Sequence, residues 1–279
     1  MLHELVKHLS DDQWIEILNE SVTRENPLGI PMPRFPTDDV QVKIMGSSGR
    51  VALAGADKMY RFMKKVSKDG GCPLSSTSKI LDFGCGWGRF TRFFVKDVED
   101  SNILGADVAP AMVQICQSTR VPGEYSLIDP TGKLPYEDGT ISHILSYSVF
   151  THLPEVAASH WLAELSRVAA PGAMFVFTVE PPRFLDTIAD GDASTTDNWW
   201  LKTLIERHKA QAVDGRERLA ETGYAFIPTN GEHLADQYGD SVFTSSYIKR
   251  EWAKYFSLVS YLDEPQQFQQ AVVVMKKPV

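Results

Sequence analysis

The sequence predicts an α/β fold: a doubly wound, seven-stranded and mostly parallel sheet, with an N-terminal helical segment ahead of it and an insert after strand five. Three observations lead there. From Ser78 onward, short apolar runs alternate with stretches of helical spacing, as in a parallel sheet covered on both faces. The first run, Ile80-Leu81-Asp82-Phe83, passes directly into Gly84-Cys85-Gly86-Trp87-Gly88, the punctuation of a strand that turns tightly into a helix. After residue 180 the alternation lapses, and two last apolar runs close the sheet.

Taken in order, residues 1–75 read as an accessory segment. Asp11-Asp12 ahead of Trp14, Ile15, Ile17 and Leu18 predicts a short helix with acids in its first turn. Pro27, Pro31, Pro33 and Pro36 then make a connection that is neither regular helix nor inner strand. Gly46-Ser47-Ser48-Gly49 is a loop, and Leu53, Met59, Tyr60, Phe62 and Met63 predict a helix over 51–66. The segment either packs on the core or forms a lid, with the glycine-serine loop and Tyr60 or Arg61 near a ligand.

The main domain, residues 76–279, opens with strand one at 80–83, and Phe90, Phe93, Phe94 and Val95 mark the apolar face of the helix after it. Strand two is 103–108, and Pro110 opens the next helix, where a missing N–H is tolerated. Strand three is 125–129 and strand four 141–148. Trp161, Leu162, Leu165 and Val168 give an amphipathic helix closed by Pro171-Gly172, and 173–180 is strand five. Residues 181–245 form an insert, with a charged helical stretch at 202–219. Thr244-Ser245-Ser246 reads as an N-cap, and 257–262 and 270–275 are strands six and seven.

Hydrophobic residues at 43% and charged residues at 23% are those of an ordinary globular chain. A formal net charge of −8 repels a phosphate backbone, and no Lys/Arg cluster offsets it, so no nucleic-acid partner is expected. No apolar run reaches membrane-span length, and the charged N-terminus is unlike a signal peptide. Cys72, Cys85 and Cys116 lack metal-ligand spacing, so no metal is expected and the thiols read as reduced. A cytoplasmic protein is the expectation.

The glycine stretch carries the chemistry. Glycines allow φ > 0 and close approach of a ligand, and the helix after them offers N–H groups and the positive end of its dipole. The spacing is G-x-G-x-G, not the dinucleotide fingerprint G-x-G-x-x-G. Asp82 beneath the turn would repel a pyrophosphate, which argues for a ligand that is cationic there.

The stretch resembles motif I of the class I S-adenosylmethionine-dependent methyltransferases. Three later stretches resemble the same family in order. Asp107 ends strand two. Asp129 precedes Leu134-Pro135-Tyr136-Glu137-Asp138-Gly139, with one residue more between them than in the commonest form. Ser148-Val149-Phe150-Thr151-His152-Leu153 is followed by Glu164-Leu165-Ser166-Arg167-Val168 and Pro171-Gly172. The likeness covers 78–180 closely and 245–279 loosely. It implies an antiparallel last strand and S-adenosyl-L-methionine as cofactor. It also implies cofactor contacts from Asp82, Gly84, Gly86, Gly88, Asp107, Val108, Ile128, Asp129 and Ser146. Asp107 would accept the ribose hydroxyls, with plain helix capping as its alternative; Asp129 with Ile128 would meet adenine, with a turn residue as the alternative. Arg89 either pairs within the core or approaches a carboxylate.

Methyl transfer from a sulfonium needs positioning and exclusion of water more than covalent help. His152, after strand four, is a candidate base, or else a helix cap. Glu180, ending strand five, would orient an amine or hydroxyl, or is a turn acid before Pro181-Pro182. Trp199, Trp200 and Tyr224 would line a substrate pocket if the insert is a lid, or form its own small core; the insert is otherwise coverage or a homodimer contact. The expected function is an enzyme moving a methyl group to a small-molecule or sugar-like acceptor. A macromolecular acceptor, a noncatalytic cofactor-binding partner and an NAD-dependent oxidoreductase are the competitors.

Overall fold

A computed structural model describes residues 1–228 and 238–279. The N-terminal segment is helical: α1 (Leu2–Val6), α2 (Asp11–Ser21), α3 (Asp38–Met45) and α4 (Gly49–Asp69). Ser10 caps α2 through a reciprocal pair: its Oγ accepts from Gln13 N and its N–H donates to Gln13 Oε1. Trp14, Ile17 and Leu18 are buried at helical spacing, as are Leu53, Ala56, Tyr60 and Met63 of α4. The Tyr60 hydroxyl donates to Asp97 Oδ2 at 2.5 Å, in a cluster where Lys64 and Lys96 both pair with Asp11.

The sheet follows: β1 (Ile80–Phe83), α5 (Thr91–Phe94), β2 (Ile103–Asp107), α6 (Pro110–Ser118), β3 (Glu124–Leu127), β4 (Ile141–Ser146), α7 (Glu155–Val168) and β5 (Ala169–Val179). Next come α8 (Pro182–Asp190), α9 (Trp199–Thr222), β6 (Tyr224–Ile227), β7 (Asp240–Phe243), α10 (Ser245–Glu251), β8 (Ser257–Leu262) and β9 (Ala271–Lys276). Seven strands order as β3-β2-β1-β4-β5-β9-β8, and β8 and β9 run antiparallel. β1 lies parallel between β2 and β4, with Asp82 level with Gly105 and Leu145. The order reverses at β1, which places ligand sites at the carboxyl ends of these strands.

Three elements differ from the sequence reading. The helix after the glycine turn is one turn long. Pro171-Gly172 does not end a helix but lies inside β5, where Pro has no N–H to contribute. Within the insert, β6 and β7 pair as an antiparallel ribbon that periodicity did not reveal.

The chain forms two compact units: 1–146 with 167–175 and Val279, and 147–166 with 176–278. Unit one contains the N-terminal helices and β1 to β4. Unit two has a core of Phe184, Leu185, Ile188, Leu204, Ala225 and Val242, against which Trp200 and Leu219 pack.

Candidate functional site

In unit one, buried β1 ends in a turn whose Gly84, Gly86 and Gly88 have φ of 77°, 53° and 75°, the left-handed region that favours glycine. The glycines differ in purpose. A Cβ on Gly88 would lie 2.9 Å from Thr91 Oγ1 and 3.0 Å from Val121 Cγ1, so this glycine serves packing. A Cβ on Gly86 would meet nothing within 4 Å, so open space borders the turn there.

The N–H groups expected to face a ligand are largely used by the fold. Gly84 N and Cys85 N donate to Ala106 O at 2.8 and 3.2 Å, Gly88 N to Cys85 O at 2.9 Å, and Gly86 N to Asp107 Oδ2 at 2.8 Å. With α5 a single turn starting at Thr91, a helix dipole is not the device. The backbone is stitched to β2, which holds the turn rigid.

Other groups in the turn are left unsatisfied. Asp82 Oδ2, Trp87 Nε1 and, at the end of β4, Ser146 Oγ are buried without a hydrogen-bond partner. Native folds rarely leave such groups without a purpose. Asp82 is 2% exposed. Burial pushes its carboxyl up to about 7; the Arg89 guanidinium opposes the rise, Asp107 adds to it, and the Thr91 N–H opposes it. Arg89 itself donates to Ala52 O at 3.1 Å and stacks on Phe90. A ligand bringing positive charge and hydrogen-bond donors to this turn would relieve Asp82.

Asp107, buried, holds Gly86 N–H with Oδ2 and Ala109 N–H with Oδ1 at 2.9 Å, so it braces the turn and the entry to α6 together. Burial raises its pKa above the usual carboxylate range, and the N–H bonds oppose the rise without cancelling it. Val108 is half-exposed; Ile128 is buried and donates its N–H to Asp107 O at 3.0 Å. Asp129 is exposed, and its Oδ1 accepts from Thr131 N and Oγ1 at 2.8 and 2.9 Å, which keeps its carboxyl below the usual range. The structure therefore brings Asp82, the glycines, Asp107, Val108, Ile128 and Ser146 to the carboxyl ends of β1 to β4, with Asp129 in a turn just past β3.

Unit two holds the other sequence candidates. His152 Nδ1 donates to Gly239 O at 2.9 Å and lies 3.4 Å from Asp240 Oδ1, and its ring stacks on Tyr238. Glu180 is 7% exposed and accepts from Gln270 Nε2 at 3.0 Å. Burial, with the Asp240 charge, pushes Glu180 up to about 7 against the pull of Gln270, His152 and Arg183. Trp199 is 75% exposed, Trp200 is partly buried against the unit's own core, and Tyr224 stacks on Phe243 while its hydroxyl accepts from Glu155 N. Asp240, Gln270 and Trp87 escaped the sequence reading. The first two reach His152 and Glu180 only through strand pairing distant in sequence, and an aromatic in a glycine turn gave no signal of its own.

Residues 80–172 match the family model of the methyltransferase domain. A malonyl-[acyl-carrier protein] O-methyltransferase of Halorhodospira halophila is 24% identical over 163 residues, 57% of this chain and 52% of that one. An uncharacterized methyltransferase of Schizosaccharomyces pombe is 27% identical over 109 residues, 36% of this chain and 38% of that one. The chain thus spans about half or less of the length of these curated relatives. The crystal structure of an S-adenosylmethionine-dependent methyltransferase from Mesorhizobium loti shares the fold, with a TM-score of 0.53 at 15% identity, covering 80% of this chain and 97% of that one.

Proposed function

Because the chain belongs, through residues 80–172, to the class I S-adenosylmethionine-dependent methyltransferases, we propose that it transfers a methyl group from that cofactor to the oxygen or nitrogen of a small-molecule or sugar-like acceptor. The observation that carries the reading is the buried, unpartnered Asp82 oxygen beneath a turn with open space at Gly86. When bound, S-adenosylmethionine supplies a methyl group already activated by the sulfonium charge. Asp82 and the glycine turn would hold its cationic amino-acid end, with Ser146 adding a hydroxyl. Asp107 and Val108 would hold the ribose, and Ile128 with Asp129 the adenine. Asp107 would present the lone pairs not engaged by Gly86 and Ala109.

His152 and Glu180 are the groups able to hold a proton for the acceptor. The name of the H. halophila relative states transfer to oxygen for that protein, in keeping with an oxygen acceptor here. The formal net charge of −8 favours a small acceptor over nucleic acid. The three thiols suit a cytoplasmic setting, and no helix among the described residues is long and apolar enough to cross a membrane. Calorimetry with S-adenosylmethionine, S-adenosylhomocysteine and NAD tests the reading: the two sulfur compounds should bind and NAD should not. Preference for NAD would overturn it. Binding with no turnover on any acceptor would favour a noncatalytic partner instead.

A further inference from the structure

The turn after β1 holds a pair of thiols that cofactor binding does not use. Cys85 stands between Gly84 and Gly86, and Cys116 lies near the end of α6, sharing the helix's buried face with Val113 three residues before it. Both belong to unit one, Cys85 4% exposed and Cys116 fully buried. Their sulfurs converge on one atom: Cys116 Sγ donates to Gly86 O at 3.2 Å, and Cys85 Sγ lies 3.8 Å from the same oxygen. The two thiols also hydrogen-bond each other. Cys72, the third thiol, belongs to the stretch after α4 and is half-buried.

A bond between these sulfurs would act on the backbone of the turn. Cys85 is wedged against β2, where a Cβ on Gly105 would come within 3.1 Å of its sulfur. Joining the pair takes the S–H donor away from Gly86 O and draws residues 85–86 toward α6. The Asp107 carboxylate, holding Gly86 N at 2.8 Å, resists that movement. Gly86 borders open space, so its peptide shifts where a ligand would lie, and the same space admits a molecule as small as a peroxide.

We propose that Cys85 and Cys116 form a modification site, oxidised by a hydroperoxide to a disulfide that weakens cofactor binding at the turn; the second half of this rests on the methyltransferase reading. Cys85, the more accessible thiol, gives up its proton and its sulfur attacks one peroxide oxygen. The O–O bond breaks, the departing oxygen leaves as water, and Cys85 becomes a sulfenic acid. Cys116 Sγ then attacks Cys85 Sγ; the S–S bond forms, the S–O bond breaks, and hydroxide leaves with the Cys116 proton as a second water. Two thiols and one hydrogen peroxide thus give one disulfide and two waters. In reducing compartments disulfides of this kind are transient and sensing.

The titratable groups around Cys85 are Cys116, Asp82, Asp107, Tyr125 and Tyr136. The Cys116 hydrogen bond and burial, joined by the two aspartate charges, raise the Cys85 thiol well above the ordinary cysteine value, so oxidation should be slow at neutral pH and quicken in mild alkali.

The test treats the whole protein with hydrogen peroxide, maps its thiols by mass spectrometry and measures its affinity for S-adenosylhomocysteine by calorimetry. A Cys85–Cys116 cross-link should form, affinity should fall about tenfold, and dithiothreitol should restore it. Reciprocally, saturating S-adenosylhomocysteine should raise the pair's reduction potential by about 30 mV, the equivalent of that tenfold change. Cys85→Ala should lose the cross-link and the response to peroxide, with Cys116→Ala in its place should the first variant fold poorly, while Cys72→Ser should respond as the wild type does. Thiols that stay reduced, thiols oxidised singly without a cross-link, or a cross-link that leaves affinity unchanged would overturn this site. Failure of the reduced wild-type protein to bind S-adenosylhomocysteine would instead overturn the methyltransferase reading, with the cross-link still read by mass.

Discussion

Asp82 makes cofactor binding depend on pH in a calculable way. Burial pushes its carboxyl up to about 7 from the ordinary aspartate value of 3.8. At about 1.4 kcal/mol per unit, ionising it inside the unliganded fold costs about 4 kcal/mol. The sign follows from linkage: the folded state prefers the protonated form, so this group's stabilising contribution is complete below 3.8 and is lost as pH rises through about 7. A bound cation reverses the preference, so binding below pH 7 must expel a proton. The dissociation constant should fall roughly tenfold between pH 5.5 and 7, with nearly one proton released at pH 6, read by calorimetry in buffers of different ionisation enthalpy. Asp82→Asn should abolish both the slope and the proton release, weaken binding at pH 7 roughly tenfold, and raise the melting temperature of the unliganded protein above pH 7. An affinity that stays flat with pH in the wild-type protein would refute the reasoning.

Other substitutions test neighbouring parts. Gly86→Ala should lower stability by about 1 kcal/mol through its φ of 53°, yet weaken cofactor binding far more, because the new methyl enters the open space beside the turn; thermal melts and calorimetry separate the two. Asp107→Ala removes the acceptor of two backbone N–H groups and should weaken cofactor binding by about 1–3 kcal/mol, while unchanged affinity would remove it from the site. Trp199→Ala, at an exposed position, should change stability by less than about 0.5 kcal/mol, so any loss of turnover would mark an acceptor contact; Trp200→Ala should destabilise by about 1–2 kcal/mol, since it is partly buried against the unit's core.

The chain itself determined the alternating sheet, the turn after β1 and the acids ending β1 and β2. These rest on local physics: apolar period, the left-handed backbone that glycine allows, and the capping chemistry of aspartate. Tertiary structure decided how those residues are used. It assigned Gly86 N–H to Asp107, where sequence reasoning offered it to a ligand, and it buried Asp82 so deeply that its charge became conditional. It also carried β5 through Pro171-Gly172 and set Asp240 beside His152, Gln270 beside Glu180, across long separations. A carboxyl's pKa and a histidine's tautomer depend on neighbours brought in by strand pairing, and no local pattern encodes those neighbours.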